Sequence, residues 1–192
     1  YTYLGKLPLL SVFDRPLKGW SLFLKEVLDR VLALAGIILL SPVMLAVALA
    51  VRLESAGPVI FRQRRYGFNN ELIEVFKFRS MYTDRCDLNA SKLVTRDDPR
   101  VTRVGRFIRK SSLDELPQLF NVLRGDMSLV GPRPPLPYEA ANYEPWHLRR
   151  ILGIQPGLTG LWQVEGRSRV GFNEMVRMDL RSQSWEYASE MV

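Results

Sequence analysis

The stretch VLALAGIILLSPVMLAVALAV, Val31 to Val51, holds 21 residues without a single charge. As a helix rising roughly 1.5 Å per residue it reaches roughly 30 Å, about one hydrocarbon thickness. A run with no polar face over this length argues against a buried core helix of a soluble protein and for an anchor in lipid. Ser41-Pro42 lies at its centre. Pro42 has no N–H for the carbonyl of Ile38 and its ring crowds that turn, so a kink is expected, with Ser41 placed to bond the freed carbonyl. Lys18, Lys25 and Arg30 precede the run and Arg52, Arg62, Arg64 and Arg65 follow it, so the positive-inside rule finds no asymmetry. Two placements satisfy these residues: a proline-kinked helix that spans, and a re-entrant one that enters and leaves on the same face.

Working outward, Arg52 to Lys110 holds 14 Lys/Arg against 7 Asp/Glu, an excess equal to the whole net charge of +7. A basic block directly after an uncharged apolar block points to anionic partners at a membrane surface, although charge alone also admits nucleic acid. At 192 residues, one ordinary domain is the expectation. Cys86 and His147 are the only cysteine and histidine. They exclude a disulfide framework and a Cys/His zinc site within one chain and fit a reducing, cytosol-facing location, so a catalytic metal would need carboxylates. No signal peptide pattern, P-loop, dinucleotide fingerprint or internal repeat appears.

After Gly57-Pro58, two β-rich runs flank Gly67-Phe68-Asn69-Asn70 and predict a hairpin. In its second strand Phe76 and Phe78 alternate with Lys77 and Arg79, which puts the cations together on one face, where they either grip a phosphate or meet solvent. Pro99 to Lys110 spaces Val101, Val104 and Ile108 as a helix, with Arg103, Arg106, Arg109 and Lys110 between them: a basic amphipathic helix for a headgroup layer, or a plain charged face. Ser112 with Glu115 fits a capping box opening a helix from Leu113 to Leu123 that Gly125 ends. Asp114 and Glu115 in its first turn would favour the helix dipole whatever else they do. Four prolines in Gly131 to Pro137 predict a stiff extended loop presenting Arg133. Gly157, Gly160 and Gly166 allow either a close backbone approach to a ligand or tight turns.

Taken in order, the Ser41-Pro42 break, GPVIFRQRRYG, FKFRSM, SLDELPQLFNVLRGDMSLVGPRP and PGLTGLWQVEGRS resemble the bacterial sugar transferase family, the monotopic phosphoglycosyl transferases. The resemblance covers roughly Lys25 to Asp179, and the block from Ser112 to Pro134 is its most specific part. It implies an α+β, mainly helical fold, with a re-entrant membrane helix, interfacial amphipathic helices and a small β-hairpin or sheet in a catalytic domain on the cytoplasmic face of the bacterial inner membrane. The expected organisation is residues 1–24 as a linker from an upstream region, 25–54 as the re-entrant helix and 55–192 as the catalytic domain.

The implied reaction moves a sugar 1-phosphate from a UDP-sugar to polyprenyl (undecaprenyl) phosphate, releasing UMP, with Mg²⁺ required. Carried over by position, Asp114 would be the nucleophile and Glu115 its neighbour at the metal, both serving as metal ligands, while Lys77, Arg109, Arg133 and Arg167 would surround the phosphates. The partners implied are the UDP-sugar, polyprenyl phosphate and anionic lipids rather than nucleic acid. Oligomers are compatible with the family, and no residue pattern here marks one. Which UDP-sugar is used stays open, as does a non-catalytic role in holding anionic lipid. The chain departs from the family in Arg181 to Val192, polar where members commonly continue into an aromatic and apolar segment.

Overall fold

The computed structural model describes residues 2–4, 7–9, 20–83, 98–141, 143, 154–165 and 171–179. It is mainly helical, with small two-stranded pairings and one long apolar helix near the start. A short antiparallel pair, β1 (Thr2–Leu4) and β2 (Leu7–Leu9), precedes helix α1 (Trp20–Glu54). Helix α1 begins inside the segment read as linker and runs for 35 residues, uninterrupted at Pro42. Ser41 Oγ donates to Ile38 O at 2.7 Å, so the carbonyl that Pro42 orphans is satisfied as the sequence suggested.

The stripe of α1 that the sequence conceals is visible in the packing. Ala33, Ile37, Leu40, Met44, Val47 and Val51 face the rest of the protein on both sides of Pro42. Their alternating spacing of four and three keeps one seam of the helix inward. Ala33 joins Val75, Leu119, Val122 and Met127 in one buried cluster, and Val47 and Val51 join Phe78 and Ile108 in a second. On the opposite side Ile38, Leu39, Leu45 and Leu49 are exposed. Among the described residues α1 is the one helix long and apolar enough to cross a bilayer.

The predicted hairpin forms from β3 (Ile60–Tyr66) and β4 (Leu72–Phe78), antiparallel with Gln63 opposite Val75 and Arg65 opposite Ile73. The turn works because Asn69 and Asn70 accept positive φ, 53° and 63°. Phe76, on the outer face, lies between the guanidinium groups of Arg62 and Arg124, 5.7 and 5.6 Å from its ring centre.

Helix α2 (Arg103–Lys110) is shorter than predicted, because Val101 pairs with Met81 in a β-bridge and Thr102 caps the first turn by accepting from Gly105 N at 2.8 Å. Glu54, at the end of α1, accepts from Arg103 N and Val104 N at 2.7 and 3.0 Å, joining the end of one helix to the start of the next.

The helix predicted from Leu113 to Leu123 is two pieces. Ser112 adopts the left-handed region, φ 58°, and its side chain caps nothing. Leu113–Glu115 forms a single 3₁₀ turn, Pro117 follows, and α3 (Gln118–Arg124) starts after it. Pro117 cannot donate to the carbonyl of Leu113, which instead receives Leu116 N at 3.3 Å, so the chain tightens where a continuous helix was expected. Gly125 ends α3 at φ 86°, as predicted.

Strand β5 (Ser128–Val130) pairs in parallel with β6 (Gly157–Thr159), a pairing the sequence reading did not include. Gly131 and Gly157 abut here: a Cβ on Gly157 would lie 2.1 Å from Gly131 N, so these glycines permit a backbone-on-backbone contact. The proline loop after β5 is extended and buried at Pro132, Pro134, Pro135 and Leu136, and leads into α4 (Pro137–Ala140). A short helix α5 (Leu161–Glu165) and a helix α6 over residues 172–179 follow. Gly166 and Arg181 to Val192 lie outside the described residues.

Candidate functional site

Asp114 and Glu115 occupy the 3₁₀ turn between α2 and α3, and their neighbours Leu113 and Leu116 pack on the second core cluster with Val47 and Val51. The carboxylates are therefore seated on the C-terminal half of α1. Lys77 reaches the turn from the face of β4 that carries Ile73 and Val75, and its Nζ donates to Glu115 Oε1 at 2.6 Å. Alternation along β4 thus put the cation on the correct face.

Arg79 belongs elsewhere and corrects the reading that paired it with Lys77. It is 4% exposed, and its guanidinium donates to the carbonyls of Val51, Ser55 and Ala56 at 3.2, 2.6 and 2.7 Å. Val51 O, which also accepts from Ser55 N at 3.4 Å, lies in the last turn of α1, and Ser55 and Ala56 directly follow it, at the negative end of the helix dipole. Arg79 caps the end of α1.

Next to the Lys77–Glu115 pair is a small, narrow cleft lined by Arg65, Lys77, Glu115, Gln118, Arg133 and Gln163 among others. The proline loop does bring Arg133 to this site. Arg109, also expected near the phosphates, is exposed in the last turn of α2 and does not line the cleft, although its charge acts on Asp114. Arg167 lies outside the described residues. Ser41 and Pro42 act within α1 alone.

The charges tune one another. Burial is the largest influence on Asp114 and raises its pKa; Lys77 and Arg109 pull it down, and Glu115 pushes it further up. Burial also acts to raise Glu115, but Lys77, Arg133 and Arg65 together outweigh it and leave Glu115 below the ordinary range. Lys77 is lowered by its burial, against the pull of Glu115. Two adjacent carboxyls are thereby pushed in opposite directions.

Among the described residues no group of three acidic, histidine or cysteine side chains is placed to hold a metal ion. Asp114 and Glu115 alone can supply two carboxylate ligands, which fits a hard cation such as Mg²⁺ that takes its other ligands from water and substrate phosphate.

Sequence reasoning missed Arg65, Gln118 and Gln163. Arg65 stands in phase with Phe61 and Gln63, but the apolar Ile60 and Phe61 occupy both phases of β3, so the buried face was ambiguous. Gln118 looked like an ordinary helix residue.

The sequence profile of the bacterial sugar transferase family matches residues 20–191. The undecaprenyl-phosphate glucose phosphotransferase of Komagataeibacter xylinus is 48% identical over 84% of this chain and 31% of its own length. The undecaprenyl-phosphate galactose phosphotransferase of Salmonella typhimurium is 39% identical over 93% of this chain and 40% of its own. The exopolysaccharide production protein PSS of Rhizobium leguminosarum bv. phaseoli is 44% identical over 76% of each. The chain thus spans about a third of the first of these relatives, and most of the last. With its matched residues extending across α1, the hairpin, the carboxylate turn and the proline loop, the chain belongs to the bacterial sugar transferase family.

Proposed function

We propose that the chain transfers a sugar 1-phosphate from a UDP-sugar to undecaprenyl phosphate through a covalent intermediate on Asp114. The observation that carries this reading is the Asp114–Glu115 pair, oppositely tuned, with Glu115 bonded to Lys77 in the lining of the cleft. Relatives named as glucose and galactose phosphotransferases of undecaprenyl phosphate support the reaction class.

An oxygen of the Asp114 carboxylate attacks the β-phosphorus of the UDP-sugar. The bond from that phosphorus to the oxygen bridging it to the α-phosphorus breaks, and UMP leaves with the bond's electron pair. A phosphate oxygen of the lipid then attacks the same phosphorus, displacing Asp114 and forming the lipid diphosphosugar. Splitting the transfer in two lets a water-soluble donor and a lipid acceptor use one site in turn.

Anion meets anion in both steps, so the cations matter. Lys77 and Arg133 offset the phosphate charge, and Glu115 holds Lys77 in place beside Asp114. Burial makes the Asp114 carboxylate less stable than in water, favouring its attack. Asp114 and Glu115 would hold Mg²⁺, which when bound supplies further charge stabilisation at the phosphates.

The same reading places α1 re-entrant in the cytoplasmic leaflet of the inner membrane. Its inward seam carries buried contacts from Ala33 to Val51 on both sides of Pro42. A helix spanning the bilayer would drag the charged turn and hairpin into hydrocarbon, at several kcal/mol or more per unpaired charge. Trp20 and Phe23, stacked 5.3 Å apart and exposed at the start of α1, fit the headgroup level, and so does Phe107, 65% exposed beside Arg103, Arg106 and Lys110 on α2.

The test is to incubate the chain with a UDP-sugar, Mg²⁺ and undecaprenyl phosphate and measure UMP. Release is expected with the lipid, at most one equivalent without it, and none from Asp114→Asn. Full turnover by Asp114→Asn would reject the nucleophile, and lipid-binding without UMP from any UDP-sugar would leave a non-catalytic lipid-surface protein.

A further inference from the structure

Arg65 is 4% exposed, and its three hydrogen bonds all go to neutral acceptors. Nε and Nη2 donate to Gln63 Oε1 at 3.1 and 2.9 Å, and Nη1 donates to Pro134 O at 2.6 Å. A guanidinium held this way is costly. Taking the charge out of water is strongly unfavourable and neutral acceptors repay it only in part, as the fall of its pKa to about 10 through burial and then the nearby charge of Arg133 indicates. What the guanidinium supplies in return is a planar fork that bonds Gln63 and Pro134 at once.

Its place explains the cation. Pro134 directly follows Arg133, and one residue further Pro135 O accepts from Tyr66 N at 3.0 Å. Two successive bonds therefore fasten the end of β3 to the loop that carries Arg133. Arg65 also lines the cleft beside Lys77, Glu115 and Arg133, and the charges of Arg133, Glu139 and Glu115 all act on it.

We propose that Arg65 is a positioning residue of the phosphate site, clamping the Arg133 loop so that the cleft is preset for the diphosphate of a nucleotide sugar. Arg65 acts through Arg133, and Gln63 in turn holds the planar fork in the orientation that reaches Pro134. A lysine cannot replace it, because a single ammonium cannot bond Gln63 and Pro134 together in that geometry. The inference rests on the phosphate-handling part of the function proposed above, and its readout is binding, which is measurable whether or not UMP is released.

The experiment is calorimetric titration of the full chain in detergent with inorganic pyrophosphate and with UDP. Arg65→Met is expected to bind both about tenfold more weakly than the parent, a change of about 1.4 kcal/mol. In an Arg133→Met background the same substitution should cost less than about twofold, since residues acting as one unit are not additive. Arg65→Lys should resemble Arg65→Met, and Gln63→Leu, which leaves the charge but frees the fork, should weaken binding several-fold and show the same coupling. Gln63→Leu alone decides the matter if Arg65→Met does not fold.

The proposal is overturned if the parent binds neither probe, or if Arg65→Met, or Gln63→Leu where Arg65→Met does not fold, binds as the parent does. Equal losses with and without Arg133 would also overturn it, as would parent-like binding by Arg65→Lys, which would make charge rather than the clamp responsible. Absence of UMP release with pyrophosphate binding and coupling intact would defeat the proposed reaction and leave the clamp standing.

Discussion

Replacing Arg79 by alanine separates a structural cation from a substrate-binding one. Five hydrogen bonds leave with the guanidinium, to Val51 O, Ser55 O, Ser55 Oγ, Ala56 O and Thr83 Oγ1. Ala56 is exposed and water replaces Arg79 there, and Thr83 Oγ1 still donates to Ala56 O at 3.1 Å. Val51 is buried and keeps only the 3.4 Å bond from Ser55 N, and Ser55 is half-buried, so the charge-assisted bonds to these two residues are lost with only partial compensation. At about 1.5–3 kcal/mol each, and allowing for partial resolvation of Ser55, the expected loss is about 3–4 kcal/mol. For a chain of this size that lowers the melting temperature by about 6–16 °C. Circular dichroism melting in detergent reads the shift, and UMP release per folded molecule should stay within about twofold of the parent. Arg79→Lys should recover about half the loss, since one ammonium cannot span all three carbonyls. An unchanged melting temperature with a raised KM for the UDP-sugar would refute the reasoning and return Arg79 to the phosphate site.

Lys77→Met should lower kcat/KM by about 10²–10³-fold, because it removes a preorganised cation beside the reacting phosphates; steady-state UMP release checks this. Asp114 is raised by burial, so the folded chain holds its proton more tightly than the unfolded one. The stability it contributes is present below the ordinary aspartate range and is lost as pH rises through the raised value, so Asp114→Asn should melt higher at neutral pH while making no product. Glu115 is lowered, so its contribution is present above the ordinary glutamate range and is lost as pH falls through its depressed value; Glu115→Gln should flatten that acid limb in pH-dependent melting. Ser41→Ala leaves Ile38 O without its side-chain partner and should cost about 1 kcal/mol, read as a lower melting temperature with unchanged KM.

The parts of the fold legible in the sequence were those decided locally. An uncharged run declares a membrane-length helix, although the break expected at its central proline does not interrupt α1, and paired asparagines after a glycine declare a hairpin. The carboxylate turn was misread for a local reason as well: Ser112 and Glu115 imitate a capping box, yet Pro117 interrupts the helix and Lys77 takes the Glu115 side chain. Tertiary decisions were hidden. Nothing in FKFRSM says that the end of α1 will arrive beside Arg79, or that β5 will find β6 across more than twenty intervening residues. The Arg133 position was legible because prolines stiffen its loop, whereas Arg65 depends on which face of β3 is covered, and that is set by contacts distant in sequence.

The seam of α1 has a consequence for anyone handling this protein. Ala33, Val47 and Val51 are core residues of the domain, so the helix cannot be trimmed away to leave a soluble domain. Deleting it would lay bare Val75, Phe78, Ile108 and Leu119, and the remainder would aggregate. A water-soluble form must instead keep α1 whole and repaint its outer side, exchanging Ile38, Leu39, Leu45 and Leu49 for glutamate, lysine or glutamine while the inner side stays as it is.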